Sequence, residues 1–202
     1  GLASVVGNKV ASLFTEKETD GQAAVMGVRG AKSESTIQWM TGDTAELLET
    51  GREHLSEKSY QDALDTFFEA YDYAEIDEET EVLFYLGYTS YLMGNLAESA
   101  RHFGEIVEVD PEAEFFPNLL LLHAQVLIET FAYQEAIDWI GTYGETAELD
   151  DSVRQTAFLL EGVSYRSLGA AADAKDALQR AKSIDPDTEV ARTAETILGQ
   201  FE

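Results

Sequence analysis

The sequence predicts an all-α chain of antiparallel helix pairs, and three observations carry that expectation. Beyond residue 43, apolar side chains recur at helical spacing, as in Leu83, Phe84, Leu86 and Tyr88, or Leu159 and Val163 with Arg166 on the adjoining turn. No stretch shows the period-two alternation of a half-buried strand. Residues of little bulk return at a nearly constant interval of 36 to 38 positions, at Gly51, Gly87, Ala124 and Gly162. Each is followed twelve positions later by another small residue (Ala63, Ser99, Ala136, Ala174) and sixteen later by a large apolar one (Phe67, Phe103, Ile140, Leu178). Three beyond those lie Ala70, Ile106, Tyr143 and Ala181.

The elements follow in order. Residues 1–43 form a leader holding six of the fifteen glycines, with apolar pieces "LASVVGNKVASLF" and "AAVMGVRGA" joined by the polar "TEKETDGQ" and followed by "IQWM" with Trp39. It cannot bury its apolar residues alone, so it is expected to be partly helical, docked on the rest of the chain, or partly disordered. Repeating units are expected near residues 44–77, 80–113, 117–150 and 155–188. They are separated by acidic or proline-bearing breaks, "EIDEET", "VDPEAEFFPN", "AELDDS" and "SIDPDTE", which offer caps and first-turn acids to the next helix. The third unit is the least regular, with Gly141 and Gly144 in its second helix. "DTEVARTAETILGQF", which follows Pro186, is amphipathic, and a capping helix is expected over residues 189–202 to cover the last unit.

Glycine inside a helix disfavours it by about 1 kcal/mol relative to alanine, so Gly87 and Gly104 need a reason. For Gly87 the reason is a notch: a residue without bulk on a first helix lets the second helix approach to the short end of the usual 8–10 Å range. On this reading Gly87 faces Ser99. Gly104 falls outside the recurrence and implies either a close neighbour or a tolerated penalty.

The recurrence resembles the tetratricopeptide repeat, a helix-turn-helix unit of about 34 residues with a small/small/aromatic/small/Pro signature. The nearest stretches are "LFYLGYTSYLMGNLAESARHFGEIVEVDP" and "FLLEGVSYRSLGAAADAKDALQRAKSIDP". Pro111 and Pro186 hold the proline position, whereas Glu75 and Glu148 stand there in the other units, and Ile106 and Tyr143 are larger than the family prefers. The resemblance covers about four units over residues 44–202. It implies a right-handed α-solenoid with a C-terminal capping helix and the leader at the N-terminus.

Composition narrows the function. The 202 residues include 39 acidic and 13 basic side chains, a formal charge of −26. Nucleic acid and anionic membrane surfaces are therefore excluded as partners by repulsion. Residues 1–43 are nearly neutral, so almost all of this charge lies on the repeats, where solvation or salt adaptation accounts for it. The absence of cysteine excludes disulfides, thiolate chemistry and cysteine-ligated zinc, and no apolar run is long enough to span a membrane. Lack of cysteine, with Gly rather than Met at residue 1, favours an exported or periplasmic protein over a cytoplasmic one.

No reactive constellation emerges, and the expected protein is not an enzyme, with no cofactor and no metal. His54, His102 and His123 are isolated from one another, and the acid pairs Asp62/Asp65 and Glu78/Glu79 lack the spaced oxygens and glycine of a calcium loop. "MGVRG" reads as a turn.

What remains is the concave face that the resemblance implies, lined by the first helices. Carried over residue by residue, it comprises Leu48, Arg52, Leu55, Phe84, Tyr88, Tyr91, Leu121, Gln125, Ile128, Leu159, Val163 and Arg166. Phe84 and Leu121 could equally be core, whereas the polar tips of Tyr88, Tyr91 and Gln125 favour exposure. Relatives that grip carboxylate tails use a polar clamp, where this chain has Leu48, Phe84, Tyr88 and Leu121. The expected partner is an apolar protein or peptide segment with basic flanks, and a homo-oligomer is compatible with the sequence. The alternative is an assembly subunit whose groove is filled by the leader or by another copy.

Overall fold

The computed structural model describes residues 44–106, 110–146 and 149–201; the expected leader, with Trp39 and "MGVRG", lies outside them. Among the described residues there are nine α-helices, a closing 3-10 turn and no strand. These residues fall into two compact units, 44–106 and 110–201. The first contains α1 (Thr44–Ser56), α2 (Tyr60–Tyr73), α3 (Ile76–Leu92) and α4 (Leu96–Gly104). The second contains α5 (Phe116–Glu129), α6 (Tyr133–Tyr143), α7 (Asp151–Ser167), α8 (Ala171–Ile184) and α9 (Glu189–Leu198), followed by the 3-10 turn Gly199–Phe201.

The helices come in pairs, and every pair is closed by the same three-residue turn. In each, one residue adopts positive φ: Lys58 (61°), Gly94 (78°), Phe131 (64°) and Gly169 (78°). Its N–H donates to the carbonyl three residues back, and the next N–H donates to the carbonyl five back. In the first turn these bonds are Lys58 to Leu55, 3.0 Å, and Ser59 to His54, 2.9 Å; in the last they are Gly169 to Arg166, 3.0 Å, and Ala170 to Tyr165, 3.0 Å. Carbonyls left orphaned at the helix end are thereby satisfied. Two of the four turns place a residue with a Cβ in the left-handed region, which glycine occupies without penalty. Phe131→Gly is therefore expected to raise stability by about 1 kcal/mol, and Gly94→Ala to lower it by a similar amount, both read from urea denaturation.

The notches explain the glycines, with one correction. A Cβ built on Gly51 would lie 2.3 Å from the Phe67 ring, one on Gly87 2.4 Å from the Phe103 ring, and one on Gly162 2.6 Å from Leu178. The residue that fills the space is thus the large one sixteen positions on. Ser99 is fully buried, but the three atoms nearest a Cβ on Gly87 all belong to the Phe103 ring. The physical reason is reach: the small residue allows the backbones to approach, while the long side chain one turn further lies across the glycine. Gly104 and Gly141 have no such neighbour within 4 Å, and Gly104 is the last residue of α4, where the interior penalty does not apply.

In the first unit Leu48, Ala63, Phe67, Ala70, Val82 and Leu86 form a core, against which Leu47, Leu55, Leu64, Ala74 and Tyr85 pack. Each fully buried aromatic or leucine side chain contributes about 2–3 kcal/mol of transfer free energy. Glu75, standing where the repeat signature has proline, caps α3 in a reciprocal capping box with Glu78. Pro117 occupies the opening turn of α5, where a missing N–H is harmless.

The start of α9 is tied into the second unit by Gln155. Its amide nitrogen donates to the carbonyls of Ala181 (2.9 Å) and Asp185 (2.7 Å), and its oxygen accepts from the Thr188 hydroxyl (3.0 Å). Thr188 in turn accepts from the N–H of Ala191 as the N-cap of α9.

Candidate functional site

The twelve residues expected to line a groove divide by accessibility. Leu48, Phe84, Leu121, Gln125, Leu159 and Val163 are buried; Leu55, Tyr88, Tyr91, Ile128 and Arg166 are half-buried; Arg52 is exposed. Gln125 departs from the expectation of exposure, at 4%. Its amide can leave water because Nε2 donates to Glu129 Oε1 at 2.8 Å.

In the first unit the face of α3 is an aromatic ladder. Phe84, Tyr88 and Tyr91 follow one another at i, i+4 and i+7, which places them along one face of the helix. The Tyr88 ring stacks on Phe84 at 6.1 Å with an interplanar angle of 5°, and Phe84 stacks on Phe103 at 6.5 Å. A half-buried tyrosine is thus backed by a fully buried phenylalanine. On α1, Arg52 pairs with Glu49, and its guanidinium lies 6.0 Å from the ring of Tyr85. Tyr85 was not among the expected site residues. It stacks on Phe67 at 5.1 Å and so links that arginine to the core. The aromatic run "FYLGYTSY" was the available signal.

The second unit presents a different set. Ile128 is half-buried at the end of α5, and Arg166 donates to Gln200 Oε1 at 2.8 Å. A shallow depression of about 650 Å³, also missed by sequence reasoning, is lined by Glu145, Arg154, Phe158, Arg180, Ser183 and Ile184. The Arg180 guanidinium lies 3.8 Å above the Phe158 ring and pairs with Glu145 and with the buried Glu161. Burial pushes the Glu161 carboxyl up, and Arg180 opposes that shift. Both arginines have carboxylate partners, since Arg154 pairs with Asp151. The Arg180–Glu161 pair ties α8 to α7, whereas the Arg154–Asp151 pair lies within α7.

His102 and His123 are packing residues. His102 is buried, 5.7 Å from the Phe68 ring, and burial holds its pKa below the ordinary value. His123 packs at 4.7 Å against Trp139, whose indole N–H donates to the Leu120 carbonyl at 3.0 Å. Burial lowers the His123 pKa to about 4. Between that value and the unfolded pKa of about 6.5 the unfolded chain binds more protons, so this group's contribution to stability is lost as pH falls through the window. His123→Gln is expected to narrow the difference in unfolding free energy between pH 7 and pH 4.5 by about 2 kcal/mol. Denaturant titrations of both proteins at the two pH values check it. No group of metal-ligating side chains gathers among the described residues.

Comparison with known proteins agrees with this architecture. A tetratricopeptide-repeat family profile matches residues 156–188. No curated protein matches the chain. Among solved structures, a MamA RS-1 double mutant superposes with a TM-score of 0.64 at 20% identity, covering 79% of this chain and 84% of that one. YrrB, described as a tetratricopeptide-repeat protein with an unusual peptide-binding site, gives 0.61 at 18% identity, covering 96% and 87%. PilF of Pseudomonas aeruginosa gives 0.60 at 17% identity, covering 77% and 67%. At these identities the likeness is one of fold.

Proposed function

This chain has the tetratricopeptide-repeat fold, a fold commonly used as a protein-interaction scaffold, and from that premise we propose that it is a non-enzymatic scaffold binding protein or peptide segments. The binding surface is the set of first-helix faces, repeated in units near residues 44–77, 80–113, 117–150 and 155–188. Arg52, Leu55, Tyr88 and Tyr91 offer contacts in the first compact unit, and Ile128 and Arg166 in the second. Leu48, Phe84, Leu121, Gln125, Leu159 and Val163 are buried, and Phe84 backs Tyr88 directly. The observation that carries this reading is the pair Tyr88 and Tyr91, half-buried one turn apart, with Tyr88 held flat on a buried ring. A ring fixed like that of Tyr88 loses little entropy on binding and suits an anchor for an apolar segment. The acidic surface favours basic flanks on that segment.

Peptides selected against the chain from a displayed random library supply the test. Tyr88→Ala and Tyr91→Ala should each weaken their binding by about 2 kcal/mol, roughly 30-fold. Unchanged affinity in both variants, with melting temperatures intact, removes the two residues from the site.

A further inference from the structure

Helix α2 carries a second surface that the first-helix reading does not use. Its exposed aromatic side chains are Phe68 (42%), Tyr71 (36%) and Tyr73 (44%), three of the five large exposed hydrophobic residues among the described residues. Phe68 and Tyr71 continue from the half-buried Leu64 at i, i+4 and i+7, so the three form one row along the helix. On one side of that row lie the core residues Ala63, Phe67 and Ala70. On the other, one position around, runs a parallel row of exposed acids, Asp65, Glu69 and Asp72.

The aromatic row is held in place. The Tyr71 hydroxyl donates to Glu79 Oε1 at 2.8 Å, and the Phe68 ring lies 5.7 Å from buried His102. Base is scarce around it. Helix α2 has no lysine or arginine, and Arg101 on α4 is already paired with Glu98 and Glu105. Over residues 44–106 there are fifteen acidic side chains against three basic ones. Exposed aromatic surface beside uncompensated negative charge has a definite complement.

We propose that the outer shoulder of α2 docks a basic amphipathic helix. The partner lays an apolar edge with i, i+4, i+7 spacing along Leu64, Phe68 and Tyr71, and its lysine or arginine flank lies over Asp65, Glu69 and Asp72. Row matches row because both helices share the same rise per residue. This surface is independent of the proposed first-helix site.

The test uses a fluorescently labelled helical peptide with leucine along one edge and lysine on the flank. Comparators carry glutamate in place of lysine, or serine in place of leucine. Both comparators should bind the full chain at least tenfold more weakly. Phe68→Ser/Tyr71→Ser, and separately Asp65→Asn/Glu69→Gln/Asp72→Asn, should each weaken the parent peptide at least tenfold, with circular dichroism unchanged. Tyr88→Ala/Tyr91→Ala removes the first-helix anchors, and the peptide should still bind that variant and slow amide exchange in α2. Amide exchange should slow in α2 on binding. The inference is overturned if the α2 aromatic variant binds as the parent does, or if the serine comparator binds equally. It is also overturned if the Tyr88/Tyr91 variant abolishes binding, which would move the peptide to the first-helix face. Self-association of the parent that Phe68→Ser/Tyr71→Ser removes, without peptide binding, would identify a second copy as the occupant instead.

Discussion

Gly87→Ala is expected to lose about 3 kcal/mol of unfolding free energy, although the same change is favourable in most helices. The added methyl would lie 2.4, 2.6 and 2.8 Å from three atoms of the Phe103 ring. That ring is fully buried and stacked against Phe84, so it has no free direction in which to yield. The chain must then move the helices apart or force the ring off its rotamer, an overpacking penalty of about 1–3 kcal/mol or more. Gly141→Ala is the control, because nothing lies within 4 Å of a Cβ built there and the residue is exposed in the last turn of α6. It should stabilise by about 0.5–1 kcal/mol. Urea denaturation of both variants gives the two signs, and Gly87→Ala/Phe103→Leu should recover part of the loss. Equal stability of Gly87→Ala and the parent would mean that the helices do not approach as described.

Gln155→Ala carries the second large effect, also about 3 kcal/mol. Three hydrogen bonds of roughly 1 kcal/mol each disappear together, and the Thr188 hydroxyl loses its acceptor on Gln155. The residue is 1% exposed, so water cannot readily replace the amide. Thr188→Val removes one of those bonds and the α9 cap, and should lose about 1–2 kcal/mol. Combined with Gln155→Ala it should lose less than the sum, since the two share a bond. A strictly additive double variant would contradict the network.

How much of this was legible beforehand follows from the kind of signal each feature leaves. Gly51, Gly87 and Gly162 announced close helix packing, because only a backbone constraint explains glycine in a helix so regularly. They could not announce that Phe67, Phe103 and Leu178 fill the notches, since that depends on side-chain direction, whereas sequence spacing suggested Ala63, Ser99 and Ala174. Gly94 and Gly169 mark turns by composition. Lys58 and Phe131 occupy the same left-handed position without any such mark, because hydrogen bonds made five residues apart impose it. Within the candidate site, helical periodicity grouped Phe84 with Tyr88 and Tyr91, but periodicity identifies a face and not its depth. Hence Gln125, expected in water, is buried. Gln155 left no trace at all, because its partners stand 26 to 33 residues away along the chain.

The recurring turn also shapes how the chain folds. Each turn satisfies its carbonyls within six residues, and the notch contacts that lock a pair, such as Gly87 with Phe103, span sixteen. Loops so short close on the sub-microsecond scale, so every hairpin can form from its own residues without waiting for distant ones. The tie from Gln155 to Thr188 spans 33 residues, and it can set only after α8 has formed and α9 has begun. The second unit is thus expected to consolidate at its C-terminal end last.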